Sequence, residues 1–194
     1  MRILGVDPGL TRCGLGVVDA GTGRKLGLVL VQVATAEIEL PVAERIGRIA
    51  DVVDAIFDSE RPDVVAIERV FAQHNVRTVM ATAQVSGVVM FQARQRGVPI
   101  VTYTPSEVKA AVTGNGRADK KQVGFMVAKI LQLDEPPRPA DAADALAIAI
   151  THAWRGTGAQ GSPQPSTGAE GAAASTSAQL RWQAAERAAR KSAN

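Results

Sequence analysis

Residues 2–18 read RILGVDPGLTRCGLGVV, two apolar runs separated by a Pro-Gly turn. The two runs predict strands over residues 2–7 and 13–18, and the short connection predicts that they pair as an antiparallel hairpin. Pro8 favours an extended backbone at Asp7, and the glycine after it allows a tight turn. The stretch therefore begins a sheet and puts an acidic residue at the end of its first strand.

The sequence after this hairpin alternates strands and helices, with apolar residues at helical spacing in the longer segments. Strands are predicted over residues 26–33, 63–68 and 100–103. Helices are predicted over residues 41–59, 76–95, 105–112, 119–131 and 139–154. Three meandering strands followed by crossover units predict an α/β fold, with a mixed five-stranded sheet flanked by helices.

Composition divides the chain after residue 154. Residues 1–154 hold 17 basic and 17 acidic side chains, whereas residues 155–194 hold 5 and 2, which supplies the net charge of +3. The second part is rich in Ala, Gly and Ser and poor in large apolar residues, which predicts a disordered basic tail. We therefore expect one folded domain over residues 1–154.

Cysteine usage and hydropathy indicate the cellular compartment. The single cysteine, Cys13, allows no internal disulfide, as is usual in a reducing cytosol, and we expect it to be a small buried side chain. No apolar run approaches the length of a membrane span or a signal peptide. We expect a soluble, cytoplasmic protein without membrane partners.

Four acidic residues lie where the pattern predicts burial or near-burial. Asp7 and Glu68 each end an apolar strand, and Asp141 and Asp144 are three residues apart on the last helix, so they share a face. Ligands of α/β sheets gather beyond the carboxyl ends of strands, so we expect the four side chains to converge. Buried charges are costly unless paired or metal-bound, and four acids together predict a Mg²⁺ site, with two ions, for phosphodiester chemistry.

Taken singly, two of these acids have simpler explanations. Asp7 is also a favourable turn residue, and Asp141 is also a favourable residue for the first turn of a helix. Glu68 follows an unbroken apolar strand, and Asp144 is surrounded by small apolar residues. The prediction of a metal site therefore depends mainly on Glu68 and Asp144.

Four segments together resemble the RuvC family of Holliday-junction resolvases. They are GVDPGLTRCG (5–14), VAIERVF (65–71), TPSEVKAAVTGNGRADKKQV (104–123) and PADAADALAIAI (139–150). The resemblance covers residues 1–154 and implies a ribonuclease H-like fold. It also implies that the family's catalytic carboxylates correspond to Asp7, Glu68, Asp141 and Asp144.

The resemblance implies an activity and partners as well. Family members act as homodimers that cut two opposed strands of a four-way DNA junction with Mg²⁺, for which Mn²⁺ can substitute. The implied products carry 5′-phosphate and 3′-hydroxyl ends, and the implied roles are recombination and repair beside the branch-migration proteins RuvA and RuvB. Helix 76–95 is our candidate for the dimer interface. The alternative is that this helix simply packs on the sheet.

Basic residues near the predicted site are candidates for DNA binding. The segment GNGRADKK (114–121) joins glycines to Arg117, Lys120 and Lys121, and its glycines would let backbone N–H groups approach phosphate. It lacks the G-x-x-x-x-G-K-[ST] pattern, which excludes a nucleotide P-loop. Lys120 is expected to contact phosphate beside the metals, and Lys109 resembles the family's other basic position near the site. A solvated helix start is the alternative.

An aromatic side chain follows the strand that ends at Glu68. In the family an aromatic there stacks on a base near the crossover, so Phe71 is expected to face DNA, and a core position is its alternative. Its expected neighbours are Gln73, His74, Asn75 and Arg77. Neither His74 nor His152 has a metal-ligand partner four residues away, so zinc is not expected.

Three other functions stay open on the sequence. An actin-like ATPase begins with a similar strand and D-x-G turn, but this chain is too short for its two domains. A non-enzymatic junction-binding module would have no use for four acids that face a polyanion. Another ribonuclease H-like nuclease, acting on RNA or as a transposase, would use the same chemistry on a different substrate.

Overall fold

The computed structural model describes residues 1–69 and 76–156, with only the backbone of residues 76–78. The strands are β1 (Arg2–Asp7), β2 (Arg12–Ala20), β3 (Leu26–Thr35), β4 (Val64–Glu68) and β5 (Ile100–Tyr103). The helices are α1 (Val42–Glu60), α2 (Val76–Gln95), α3 (Pro105–Thr113), α4 (Lys120–Leu131) and α5 (Ala140–Gly156). Their order along the chain is the predicted one.

The strands form one mixed sheet in the order β3-β2-β1-β4-β5. β1 pairs antiparallel with β2, as the short turn after Asp7 predicts, and parallel with β4. β4 pairs parallel with β5. The predicted α/β fold with a mixed five-stranded sheet is confirmed, and β1 and β4 lie in its interior, where their ends are enclosed by neighbouring elements.

Alternate side chains of the central strand face two separate cores. Leu4 and Val6 pack with α1 and α2 on one face of the sheet. Ile3 packs on the other face with α3, α4 and α5. Because side chains alternate along a strand, Asp7 belongs to the face covered by α5.

Two strands are longer than the apolar pattern predicts. β2 includes Arg12 and Asp19 at its ends, and these polar residues are held by ladder pairs with β3 and β1 rather than by burial. β3 is an edge strand whose side chains are mostly half-buried. Hydrogen-bonded pairing extends a strand past its apolar residues, so hydropathy alone places the ends too early.

Two residues without a predicted catalytic role have structural ones. Cys13 is buried and unpaired, as predicted. His152 is buried on α5, and its Nδ1 lies 2.9 Å from the Tyr103 hydroxyl, which joins α5 to the end of β5. Within the described ranges, no helix is long and apolar enough to cross a membrane.

Candidate active site

Two parallel strands place the first pair of carboxylates side by side. Val6 of β1 is in register with Ile67 of β4, so the next residues, Asp7 and Glu68, are neighbours at the carboxyl edge of the sheet. Both strands send these side chains toward α5, because Val6 and Ile67 face the opposite core. The predicted convergence of strand ends is therefore present for these two acids.

Glycines let α5 lie directly on the sheet beside this pair. A Cβ atom on Gly14 would overlap the carbonyl oxygen of Asp141, and one on Gly5 would overlap that of Ala145. Gly14 is the ladder partner of Asp7, so the contact fixes α5 at the edge where Asp7 ends β1. The sequence prediction did not use these glycines, although glycine inside a strand is a known sign of close backbone approach.

Three of the four predicted acids line one cavity. Its volume is about 210 Å³, and Asp7, Glu68 and Asp144 border it with Lys109 and Lys120. Pro105, Val108 and Val123 complete the lining. The cavity thus combines three carboxylates with two ammonium groups on a partly apolar floor.

The start of α4 places Lys120 at the edge of this cavity, with most of its side chain exposed. Asp119 caps α4 by accepting a hydrogen bond from the backbone N–H of Gln122, and the Gln122 side chain accepts one from Asp119. Lys120 is the first residue of α4, and its Nζ lies 2.9 Å from Oδ2 of Asp144. The predicted position of Lys120 beside the carboxylates is therefore present in the fold.

Asp141 is not among the residues that line the cavity, although its carboxylate is close enough to raise the pKa of Asp7, and it is paired with an arginine that the sequence prediction did not include. Nε of Arg12 lies 3.0 Å from Oδ2 of Asp141. This oxygen is buried and has no partner with good hydrogen-bond geometry, so the contact is an ion pair rather than an aligned hydrogen bond. Arg12 lies at the start of β2, on the strand next to Asp7.

Charge crowding is evident in the pKa values. Burial raises the pKa of Asp7 to about 7, and the neighbouring carboxylates of Glu68, Asp144 and Asp141 add to the rise. Burial, and then Asp144, also raise the pKa of Glu68. The hydrogen bond to Asp144 raises the pKa of Lys120. The site therefore holds more negative charge than its basic side chains balance.

The burial and the charge crowding of Asp7 predict how the stability of the metal-free protein depends on pH. The carboxyl of Asp7 titrates near 3.8 when unperturbed and near 7 when folded. Its contribution to the free energy of unfolding is fully present below about pH 4 and is lost as the pH rises through 7, about 4 kcal/mol in all. We expect the melting temperature in EDTA to fall between pH 5 and pH 8, and added Mg²⁺ to raise it more at pH 8.

The Asp7→Asn variant separates the contribution of Asp7 to this pH dependence from the contributions of other groups. His152 has a lowered pKa because it is buried, so its contribution to stability has the opposite pH dependence. With Asn at position 7 the fall in EDTA should flatten. A fall as steep as that of the parent would mean that Asp7 does not titrate near neutrality.

The donor set fits a hard divalent cation, although the side chains are not arranged as a cage. Within residues 1–69 and 76–156, no three acidic, histidine or cysteine side chains are placed together to hold one ion. Carboxylate oxygens are nonetheless the ligands that Mg²⁺ prefers, and a cation beside Asp7 would offset the burial and the neighbouring carboxylates that together raise its pKa. Asp144 and Asp141 each have one oxygen paired with a basic side chain, so a bound cation would share these carboxylates with Lys120 and Arg12 or compete with them.

The other predicted DNA-binding residues are placed differently. Lys109 borders the cavity, whereas Arg117 and Lys121 are exposed outside its lining. Most backbone N–H groups of residues 114–119 already have partners within the turn, such as the Asn115 side chain, which accepts from Arg117. Side chains, rather than backbone N–H groups, are therefore available to contact phosphate. Phe71, Gln73, His74 and Asn75 and the side chain of Arg77 lie outside the described residues.

Comparison with known proteins identifies the family. Residues 3–152 match the sequence model of the family described as "Crossover junction endodeoxyribonuclease RuvC". The chain belongs to the RuvC family. The match includes β1, β4 and all but the last turn of α5, which are the elements that carry the four acids.

Individual RuvC proteins are similar over most of their length. The RuvC of Leifsonia xyli is 56% identical over 192 residues, which cover 96% of this chain and 92% of that protein. The RuvC of Parafrankia is 63% identical over 156 residues, 80% of this chain and 88% of that protein. Both carry the name crossover junction endodeoxyribonuclease.

A solved RuvC structure has the same fold. The structure of Thermus thermophilus RuvC in complex with Holliday junction substrate matches with a TM-score of 0.76 and 40% identity, over 80% of this chain and 94% of that chain. The predicted family and ribonuclease H-like fold are confirmed. Membership also establishes a nuclease of a family that depends on divalent metal.

Proposed function

We propose that this protein resolves Holliday junctions by cutting two opposed strands of a four-way DNA junction. The observation that supports this most is the cavity in which acids from β1, β4 and α5 meet two lysines, in a chain whose family is named for crossover junction cleavage. The products proposed are nicks with 5′-phosphate and 3′-hydroxyl ends, and the processes served are homologous recombination and DNA repair.

Asp7, Glu68, Asp141 and Asp144 are the proposed catalytic residues and metal ligands. We propose Mg²⁺ as the natural cation, two ions per site, with Mn²⁺ as a substitute. When bound, such ions lower the pKa of the attacking water and neutralise charge on the leaving oxygen. The carboxylates would hold the ions at the sheet edge. Because the pKa of Asp7 is raised to about 7, metal binding is favoured above about pH 7, where this carboxyl is deprotonated.

Lysines at the cavity are proposed to bind the scissile strand. Lys120 is held beside Asp144, and Lys109 borders the same cavity, so both would place positive charge next to the reacting phosphate. Arg117 and Lys121 are proposed to contact backbone phosphates farther along the strand. Phe71 remains the proposed base-stacking residue on grounds of family resemblance.

A homodimer is proposed because the substrate has two equivalent strands to cut. α2 packs Val85 and Val89 onto the α1 side of the sheet while Met80 and Phe91 are exposed, at 55% and 62%. One face of α2 is thus used for packing, as the alternative function predicts, and the other is available for a second copy. RuvA and RuvB as partners, and a cytoplasmic location, are proposed from the family.

Cleavage of defined substrates tests the proposal. A synthetic four-way junction, a linear duplex and an RNA–DNA hybrid are incubated with the full chain in Mg²⁺ and in EDTA. We expect paired nicks at symmetric positions in the junction, none in the duplex or hybrid, and none in EDTA. Preferential cutting of the hybrid would favour another ribonuclease H-like nuclease, and ATP hydrolysis without DNA would favour the actin-like alternative.

The same assay tests the proposed domain division. We propose that the nuclease domain, predicted to end at residue 154, is followed by a disordered basic tail that begins after α5. The last two residues of α5, Arg155 and Gly156, extend the folded part past the predicted boundary, into residues 155–194. A chain that ends after Gly156, which completes α5, should cut the junction at close to the parental rate. Loss of cutting in that chain would show that the tail takes part in catalysis or folding.

A further inference from the structure

Each of the two acids of α5 is paired with a basic side chain from a different element. Asp144 is paired with Lys120 of α4, which was predicted to be at the site. Asp141 is paired with Arg12 of β2, which was not. Of the four acids, Asp141 is the one outside the cavity lining, and its oxygen beside Arg12 is buried. The position of Asp141 is therefore linked to the position of Arg12.

We propose that Arg12 competes with the metal ion for Asp141. In the metal-free protein the guanidinium pairs with a buried oxygen of this carboxylate and so occupies it in place of a cation. Entry of a divalent cation at Asp141 displaces the guanidinium. This inference rests on the proposed metal site and deepens it by naming a residue that controls loading of the site.

The geometry around Arg12 suits a displaceable cation. Its side chain is 57% exposed, while that of Asp141 is 18% exposed, so the arginine can leave toward solvent more easily than the acid can follow. Its closest approach to Asp141 is through Nε, and these two atoms form no aligned hydrogen bond, so the contact is an ion pair that withdrawal of the arginine would break. A guanidinium and a divalent cation at the same carboxylate repel each other, so one of them has to withdraw.

Measurement of metal affinity without DNA tests the proposal directly. Free Mn²⁺ is followed by electron paramagnetic resonance during titration of the full chain and of Arg12→Gln, at low ionic strength. Removal of the competing charge should tighten Mn²⁺ binding by about two- to fivefold, the size expected for an ion pair whose cation is largely exposed. The gain should shrink as salt is raised, because exposed charges are screened.

Two controls separate local competition from other effects. Arg48→Gln removes the same charge from a side chain of similar exposure, 50%. Arg48 lies on α1, which packs on the far face of the sheet, and is paired with Glu37 in the segment before that helix. It should leave Mn²⁺ affinity unchanged. Arg12→Lys keeps a positive charge at position 12 and should bind Mn²⁺ as the parent does.

The result distinguishes this inference from the proposed function. If Arg12→Gln binds Mn²⁺ as weakly as the parent, or more weakly, Arg12 does not compete and the inference is wrong. The Asp144→Asn variant in the same titration tests the site itself, and loss of binding there supports the metal site whatever Arg12 does. If Asp144→Asn binds Mn²⁺ like the parent, the proposed metal site is wrong.

Discussion

The Asp7→Asn variant is expected to cut a four-way junction more than about 100-fold more slowly than the parent. Loss of a residue that only supports a metal ligand typically costs 10–100-fold, so loss of a ligand itself should cost more. Asn keeps the shape of the side chain and removes its charge at the centre of the carboxylate cluster. The assay is cleavage of a labelled junction in Mg²⁺ under single-turnover conditions.

Binding to the junction should survive this change. A neutral Asn removes one negative charge that faces the DNA, so affinity measured in EDTA should equal or exceed that of the parent.

Asp19→Asn is a suitable control for the cleavage assay, since Asp19 is paired with Arg2 at the opposite end of the β1–β2 pair. It should cut at the parental rate. Near-parental cutting by folded Asp7→Asn would remove Asp7 from the site.

The Gly14→Ala variant is expected to disturb the geometry of the site by displacing the start of α5. The added methyl would overlap the Asp141 carbonyl, which is backbone and cannot turn away, so the start of α5 has to shift. Overpacking of this kind typically costs about 1–3 kcal/mol of stability. Displacement of catalytic groups by about 1 Å can cost about 100-fold in rate, so we expect cleavage to fall by that factor or more.

Gly27→Ala is the matched control for this substitution. Gly27 lies in β3 of the same sheet, and a Cβ there meets no atom within 4 Å. Urea unfolding and junction cleavage should both be close to parental in Gly27→Ala and reduced in Gly14→Ala. If Gly14→Ala folds and cuts as Gly27→Ala does, contact between α5 and the sheet does not determine the site geometry.

The first hairpin and the strand before Glu68 illustrate how much of the site could be predicted from the sequence. β1 and β4 are short unbroken apolar runs that each end in an acid, and both are interior strands whose ends meet at one sheet edge. Asp144 followed from its helical spacing among small residues. Convergence of Asp7, Glu68 and Asp144 was therefore predictable from periodicity and from the rule for strand ends.

The placement of Asp141 was not predictable in the same way. Helical spacing puts it on the same face as Asp144, but the structure pairs it with Arg12, nearly 130 residues earlier in the chain. Ion pairs between distant segments depend on how the helix crosses the sheet, and hydropathy has no information about that crossing. The glycines of β1 and β2 set the crossing, and their meaning emerges only once α5 is known to lie against them.

An anomalous-difference map from crystals grown with Mn²⁺ tests the central claim most directly. We expect Mn²⁺ bound between the carboxylates of Asp7, Glu68 and Asp144 in the cavity at the end of β1 and β4. We also expect Arg12 to have withdrawn where Asp141 joins the ligands. Mn²⁺ at other acidic residues with none in this cavity would contradict the account.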